Sequence, residues 1–429
     1  MNFDPNQTRR RIQNLFFVLT CSYGVMTLGL LWWGAWQGDT LLAREDNPRL
    51  VEAELRIQRG RIVDTNNIVL AENGGTVARQ TRLYLNTDIE PVVGYYSLRY
   101  GTAGVEESLD TILRGDITDE QQEVRRSLLH EPQVGQDVRL SLDLELQAAV
   151  VDSMGDETGA AIVLLLSRGG NEQIALVRAM VSLPTYDPNQ LNSNFEQLVV
   201  DESAPLLNRA TQAQYQPGEI ISPFLFALEP ELLNRLSHEN IDLTNTELAT
   251  RWTREDLLAA WEIWGFNESP AFSLPVADIT PPSAADISSI ERAISGESTL
   301  LMTPLQLALA TSALARDGTL PQPRLVTAVQ DEGEWVNYGV ALTPTAPIID
   351  SAVAEAVQQT MWQATSTGET EYLVYTASVQ AGTNQFNHWL IGLVPAQAPR
   401  YVVIFIYENN SATVQWDTIN QTIDRLADS

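Results

Sequence analysis

Lysine is missing from all 429 residues, so each of the 26 basic side chains is an arginine. Arginine stays protonated in proteins and cannot replace lysine as a general base or a Schiff-base amine. A Walker-type phosphate loop, a Ser-Lys hydrolase dyad and a pyridoxal-phosphate aldimine are therefore excluded. Cysteine is nearly as scarce: Cys21 alone, inside an apolar run, which leaves no disulfide and no cysteine nucleophile in the folded body. The three histidines, His130, His238 and His388, are too scattered for a pattern such as HExxH, and no GxSxG elbow occurs. No metal and no cofactor is expected. Positive charge is also short, with 55 acidic against 26 basic residues and a net charge of -29. Such a chain repels phosphate backbones, so nucleic acid is not an expected partner.

What is present begins with one strongly apolar stretch over residues 12–36, uncharged from Leu15 onward. It is long enough to cross a hydrocarbon core of about 30 Å. Arg9, Arg10 and Arg11 precede it, and Trp32, Trp33 and Trp36 cluster at its far end. That pattern predicts a cytoplasmic tail over 1–11, a transmembrane helix over 12–36 and an extracytoplasmic body. A cleaved signal peptide is the alternative, but the run is long, its end is tryptophan-rich and no small-x-small site follows closely, so an uncleaved anchor is expected.

The body reads as two parts. Residues 37–137 form a small irregular domain with β-prone runs at 54–57 and 68–71, ending in a charged stretch over 116–126. Residues 138–429 alternate strands and helices in an α+β manner, opening with a short strand at 138–142. Apolar runs at 160–167 and 173–182 flank Arg168-Gly169-Gly170-Asn171, a hairpin signal, and runs at 389–394 and 401–407 make a second pair. These four are expected to share one sheet. Thr303-Pro304-Leu305-Gln306 has the N-cap, N1 proline and capping-box glutamine of a helix start, with Gly318 as its stop. Leu305, Ala308, Leu309 and Ser312 would form its packed face, and Ile419, Ile423 and Leu426 recur at helical spacing near the end.

Arg59-Gly60-Arg61, Gly94-Tyr95, Ser141-Leu142-Asp143, Asn208-Arg209-Ala210 and Tyr215-Gln216-Pro217-Gly218 stand in an ordered series that resembles the class B penicillin-binding proteins, membrane-anchored D,D-transpeptidases that cross-link peptidoglycan. Arg59-Gly60-Arg61-Ile62-Val63-Asp64-Thr65-Asn66-Asn67 with Leu70-Ala71 is similar to that family's RGxIxDRNGxxLA, and Gly94-Tyr95 with residues 100–106 to its GYxSxxYGxSGLE. Ser141-Leu142-Asp143, the MVSLPTYDPN at 180–189, Asn208-Arg209-Ala210 and Tyr215-Gln216-Pro217-Gly218 continue the series. The resemblance implies a pedestal or dimerisation-like domain over 37–137 and a transpeptidase-like domain over 138–429.

The chain departs from the family at its catalytic motifs. Where PGSTFK would carry a serine nucleophile and its lysine, Glu219 takes the serine's position and Ser222 the lysine's. Ser-x-Asn occurs nowhere, Leu243-Thr244-Asn245-Thr246 being the nearest polar cluster ahead of Trp264-Gly265-Phe266. KTGT appears as Gln380-Ala381-Gly382-Thr383, with the glycine and final threonine kept and the lysine gone. His388, before Trp389, resembles a histidine common ahead of the family's WFxG strand and reads as packing. Ser-Lys acyl transfer needs a base of tuned pKa beside the hydroxyl, and that base is missing. The resemblance minus its chemistry implies an inactive transpeptidase-like scaffold or regulator in peptidoglycan synthesis or cell division. Its partners would be membrane proteins of those processes, and its cleft would take peptidoglycan stem peptides along the edge strand at Gly382 and Thr383. The competing reading is an acyl-transfer enzyme or hydrolase in which Glu219 acts as base and Ser222 as nucleophile, three residues apart on one helix face.

Overall fold

The computed structural model describes residues 5–33, 52, 54–76, 79–86, 88–116, 133–167, 173–236, 241–297, 299–339, 345–410 and 419–427. Trp36, the stretch 117–126, the turn Arg168 to Asn171, His130 and His238 lie outside them. The chain divides into two compact units, one comprising residues 1–57 and 76–80, the other 58–75 and 81–429. In the first, helix α1 (Pro5–Leu31) contains residues 12–31 of the apolar run, and its segment Arg9–Leu31 is the one described helix long and apolar enough to cross a membrane.

The second unit is built on strands β1 (Ile62–Val63), β2 (Val69–Thr76), β3 (Arg79–Tyr84), β4 (Tyr95–Ser97), β5 (Gly101–Ala103), β6 (Val138–Leu140), β7 (Gly159–Leu166), β8 (Ile174–Leu183), β9 (Gln322–Arg324), β10 (Val326–Asp331), β11 (Glu334–Asn337), β12 (Gln363–Thr367), β13 (Thr370–Gly382), β14 (Gln385–Val394) and β15 (Tyr401–Asn410). A six-stranded sheet runs β11-β10-β6-β1-β2-β3, and a seven-stranded sheet runs β12-β13-β14-β15-β7-β8-β9. The four apolar runs of the sequence are β7, β8, β14 and β15, neighbours in the larger sheet as expected. The run at 54–57 is not a strand: the chain turns there, with the Ile57 amide bonded to the Glu54 carbonyl at 3.1 Å. The alternation of Glu54 and Arg56 with Leu55 and Ile57 suits a strand, but the local turn takes precedence and Ile57 is buried from it.

Helices cover both faces of the larger sheet. Along β15, Val402, Ile404 and Ile406 join one core cluster while Tyr401, Val403, Phe405 and Tyr407 join the other. That alternation is the two-residue period of a strand buried on both sides, which is why YVVIFIY reads as an unbroken apolar run. Against the first face packs helix α2 (Pro304–Leu314), opened by a capping box in which Gln306 N–H donates to Thr303 Oγ1 at 3.2 Å and Thr303 N–H to Gln306 Oε1 at 2.9 Å. All of its residues are buried, so it has no solvent face, a broader burial than the single stripe expected from Leu305, Ala308, Leu309 and Ser312. Against the second face lie helix Leu144–Met154 and the C-terminal helix Asn420–Ala427, with Ile419, Ile423 and Leu426 in their shared core.

The family-like segments before the catalytic motifs are joined to one another by polar contacts. Arg59 and Arg82 both reach Glu106, and Arg59 also bonds Asp110 at 2.6 Å. Asn189 of the YDPN segment accepts from Tyr84 N–H at 3.0 Å and donates to its carbonyl at 2.9 Å. Asn208 Nδ2 donates to the Pro91 carbonyl at 2.7 Å, and Arg209 Nε to Glu408 at 3.0 Å. Buried polar groups of this kind are costly unless paired, so each contact fixes the register of the segments it joins.

Candidate functional site

Tyr215 enters the site region by pairing with Met302, and Trp389 Nε1 donates to the Gln216 carbonyl at 3.1 Å. The chain then turns at Gly218, whose φ of +59° places it in the left-handed region open to glycine. A Cβ there would stand 2.9 Å from Val379 Cβ, so glycine is also what lets this turn lie against β13. Residues Gly218–Ile221 form one 3₁₀ turn, and Ser222–Ala227 continue it as a short α-helix with Pro223 in its first turn.

Glu219 and Ser222 thus sit on the same turn but in different surroundings. Glu219 is half-buried, whereas Ser222 has no exposed surface at all. Between them and the sheet lies Tyr375 of β13, whose hydroxyl donates to the Glu219 carbonyl at 3.1 Å. Burial, and then the nearby Glu219 carboxylate, hold this phenol above its usual range, with the Ser222 hydroxyl pulling the other way. It remains neutral at physiological pH and cannot stand in for a missing base.

Gln380 and Gly382 lie at the end of β13, on the strand that packs against this turn. The Gln380 side chain is exposed and folds back to donate to the Gly382 carbonyl at 3.1 Å. Pairing between β13 and β14 shifts register between Gln380 and Gly382, and Thr383 with Asn384 makes the two-residue turn beyond. β13 is the second strand of the sheet, not its edge, but β12 covers it only as far as Val374. Among the described residues no strand pairs with its outer side from Tyr375 to Gly382, which leaves backbone donors and acceptors available there. The nearby His388 is buried and shares a 2.7 Å hydrogen bond with Ser378 Oγ across the β13–β14 pair. Asn245 is on the helix Ile241–Arg251 that packs against helices Pro230–Leu236 and Ile290–Ile294, buried with its side-chain oxygen unbonded.

The structure therefore sets the turn carrying Glu219 and Ser222 against β13, with Tyr375 at Glu219 and Val379 at Gly218, and Gln380 and Gly382 follow at the end of the same strand. Tyr375 itself was missed by sequence reasoning. Its signal, a tyrosine five residues before Gln380 on a strand of mixed polarity, is visible only once Gly218 is known to approach that strand. Among the described residues no three histidine, cysteine, aspartate or glutamate side chains cluster as metal ligands.

Comparisons with known proteins agree with this architecture. A family described as "Penicillin binding protein transpeptidase domain" matches residues 247–422, and one described as "Penicillin binding protein A dimerisation domain" matches residues 59–138. The chain is 27% identical to the peptidoglycan D,D-transpeptidase PbpA of Mycolicibacterium smegmatis over 86% of its own length and 88% of that protein's. It is 25% identical to PbpA of Mycobacterium tuberculosis, over 87% and 88% respectively. Among solved structures, the D,D-transpeptidase domain of a peptidoglycan glycosyltransferase from Eggerthella lenta superposes with a TM-score of 0.73 at 22% identity, covering 87% of this chain and 99% of that one. The penicillin G acyl-enzyme complex of penicillin-binding protein A from M. tuberculosis superposes with a TM-score of 0.72 at 21% identity, covering 87% and 100%.

Proposed function

Because this chain belongs to the class B penicillin-binding proteins, the peptidoglycan D,D-transpeptidase family, we propose that it is a membrane-anchored member whose transpeptidase fold acts as a scaffold or regulator and performs no acyl transfer. The observation that carries this reading is the first motif. A carboxylate stands where the nucleophile would be, Ser222 is sealed in the interior, and the chain holds no lysine to activate a serine. General-base catalysis requires the base within hydrogen-bond reach of a hydroxyl that the substrate can also reach. Ser222 offers no surface to a substrate, which also weakens the reading of Glu219 as base and Ser222 as nucleophile.

The open outer side of β13 supports a retained binding role. Residues 376–382 can accept an extended peptide as an added strand, held by main-chain bonds, and a peptidoglycan stem peptide is the occupant the family suggests. We place the anchor at 12–36, the pedestal at 37–137 and the transpeptidase-like domain at 138–429, with the body outside the cytoplasm. Membrane proteins of cell-wall assembly or division would be the partners. The test is intact mass of the full-length protein after exposure to benzylpenicillin. No covalent adduct is expected. A stoichiometric adduct mapped to Ser222 would return the chain to the catalytic members of its family.

A further inference from the structure

Away from the catalytic-motif region, a cavity of about 160 Å³ opens among the Glu90 turn, the Gly104 end of β5, the Ser182 end of β8 and the segment 205–212. Among the buried side-chain polar atoms of its lining, one has no partner. Ser182 Oγ donates to the Leu207 carbonyl at 2.9 Å, Asn208 is bonded to Pro91 and Ala210, and Gln212 Oε1 accepts from Asn208 N–H at 3.1 Å. Glu90 is 4% exposed, and only its Oε1 is engaged, by the Thr185 hydroxyl. Its Oε2 is buried with no partner. An exposed second carboxyl, Glu107, lines the same space, as does Tyr186, and no basic residue does.

We propose that this cavity is a binding site for a small guanidinium cation, clamped by Glu90 with Glu107 and Tyr186 beside it. A buried carboxylate without a partner is costly, and an opposite charge placed against it offsets that cost. Guanidinium suits the site better than ammonium because it is planar, weakly hydrated, able to bond a carboxylate through parallel N–H groups, and able to stack on an aromatic ring. The volume is that of roughly five waters, enough for such a head group and a short alkyl stem. The absence of a three-ligand cluster among the described residues argues against a metal ion instead. Glu90 is held well above the ordinary carboxylate range by burial, with Asp88 adding to the effect, and Tyr186 and Tyr95 are raised as well. A guanidinium bound against Glu90 favours its ionised form, so binding is linked to proton release.

The test uses the full-length protein in detergent, with ethylguanidinium as the probe and ethylurea as its uncharged isostere, at matched ionic strength. Ethylguanidinium is expected to raise the unfolding temperature while ethylurea does not, and calorimetry in two buffers of different ionisation heat should show a proton released on binding. Glu90→Gln, which can keep the Thr185 bond, should weaken binding at least about tenfold, and Glu107→Gln by a smaller factor. Equal responses to the two probes, equal affinities of wild type and Glu90→Gln, or binding without proton release would overturn the proposal. Should Glu90→Gln fail to fold, the probe comparison and the proton count on wild type still decide it.

Discussion

Arg59 and Glu106, 47 positions apart, meet in the interior with side chains 3% and 0% exposed and a contact of 2.9 Å. Arg82 bonds the other carboxylate oxygen at 2.6 Å, so Glu106 bridges two buried cations and Asp110 supplies the second negative charge, at Arg59. Burial opposes the Arg59 charge, and Glu106 with Asp110 more than offsets it, leaving the guanidinium more firmly protonated than usual. Removing one member strands the others. Glu106→Gln should therefore destabilise the protein by about 3–5 kcal/mol, read from urea unfolding. A loss below about 1 kcal/mol would mean that water reaches the arginines and the network is not sealed.

Rebuilding the first motif probes how much of the catalytic apparatus is gone. Ser222→Lys alone puts a long side chain into a filled position and should cost about 1–3 kcal/mol by overpacking. Combined with Glu219→Ser it should give, at most, slow acylation by penicillin and no cross-linking, because catalytic groups that act as a unit are strongly non-additive. Adding Gln380→Lys, at an exposed position that accepts the change, should raise acylation further. Efficient cross-linking by the double variant would show that other residues already supply the missing roles.

Glu90 makes stability depend on pH in a direction opposite to that of most surface carboxylates. Burial raises its folded-state value well above 4.5, so the folded form binds its proton more tightly than the unfolded chain does. The resulting stability is complete below the unfolded value and is lost as pH rises through the folded one. Glu90→Gln mimics the protonated acid. Its unfolding temperature should match wild type in acid and exceed it increasingly as the pH is raised, whereas a constant difference across pH would show that Glu90 keeps one charge state throughout.

The proposed topology, with the body outside the cytoplasm, rests on Arg9 to Arg11 before the apolar helix and tryptophans after it. A C-terminal alkaline phosphatase fusion should be active, and a cytoplasm-dependent reporter at the same place should be silent. The reverse pattern would place the body inside.

How far the fold could be read ahead depended on whether a signal was local. β7, β8, β14 and β15 announce themselves because a strand buried on both faces is apolar at every position, and Thr303 to Gln306 because a capping box is a four-residue motif. β13 gave no such signal: its Thr, Ser and Gln positions reflect a strand with one side left open, and its length emerges only from pairing with β14. The motif positions 219, 222, 380 and 382 were located by resemblance, yet the burial of Ser222 and the interposed Tyr375 depend on a 3₁₀ turn meeting a strand more than 150 residues away, as the Tyr375 to Glu219 bond over 156 positions shows. The partnership of Arg59, Arg82 and Glu106 was equally hidden, since both sequence segments could be quoted without any hint that they touch.

Helix α2, buried on every side, bears on how the body could be delivered. A chain that is threaded through a membrane unfolded must not stall at an internal apolar segment, and Pro304–Leu314 is as oily as a membrane span. Its 11 residues reach only about 16 Å as a helix, roughly half the hydrocarbon thickness. If the body is carried across unfolded, brevity, with Arg316 and Asp317 close behind, would let the segment pass the translocation pore and find its place between sheet and helices only afterwards.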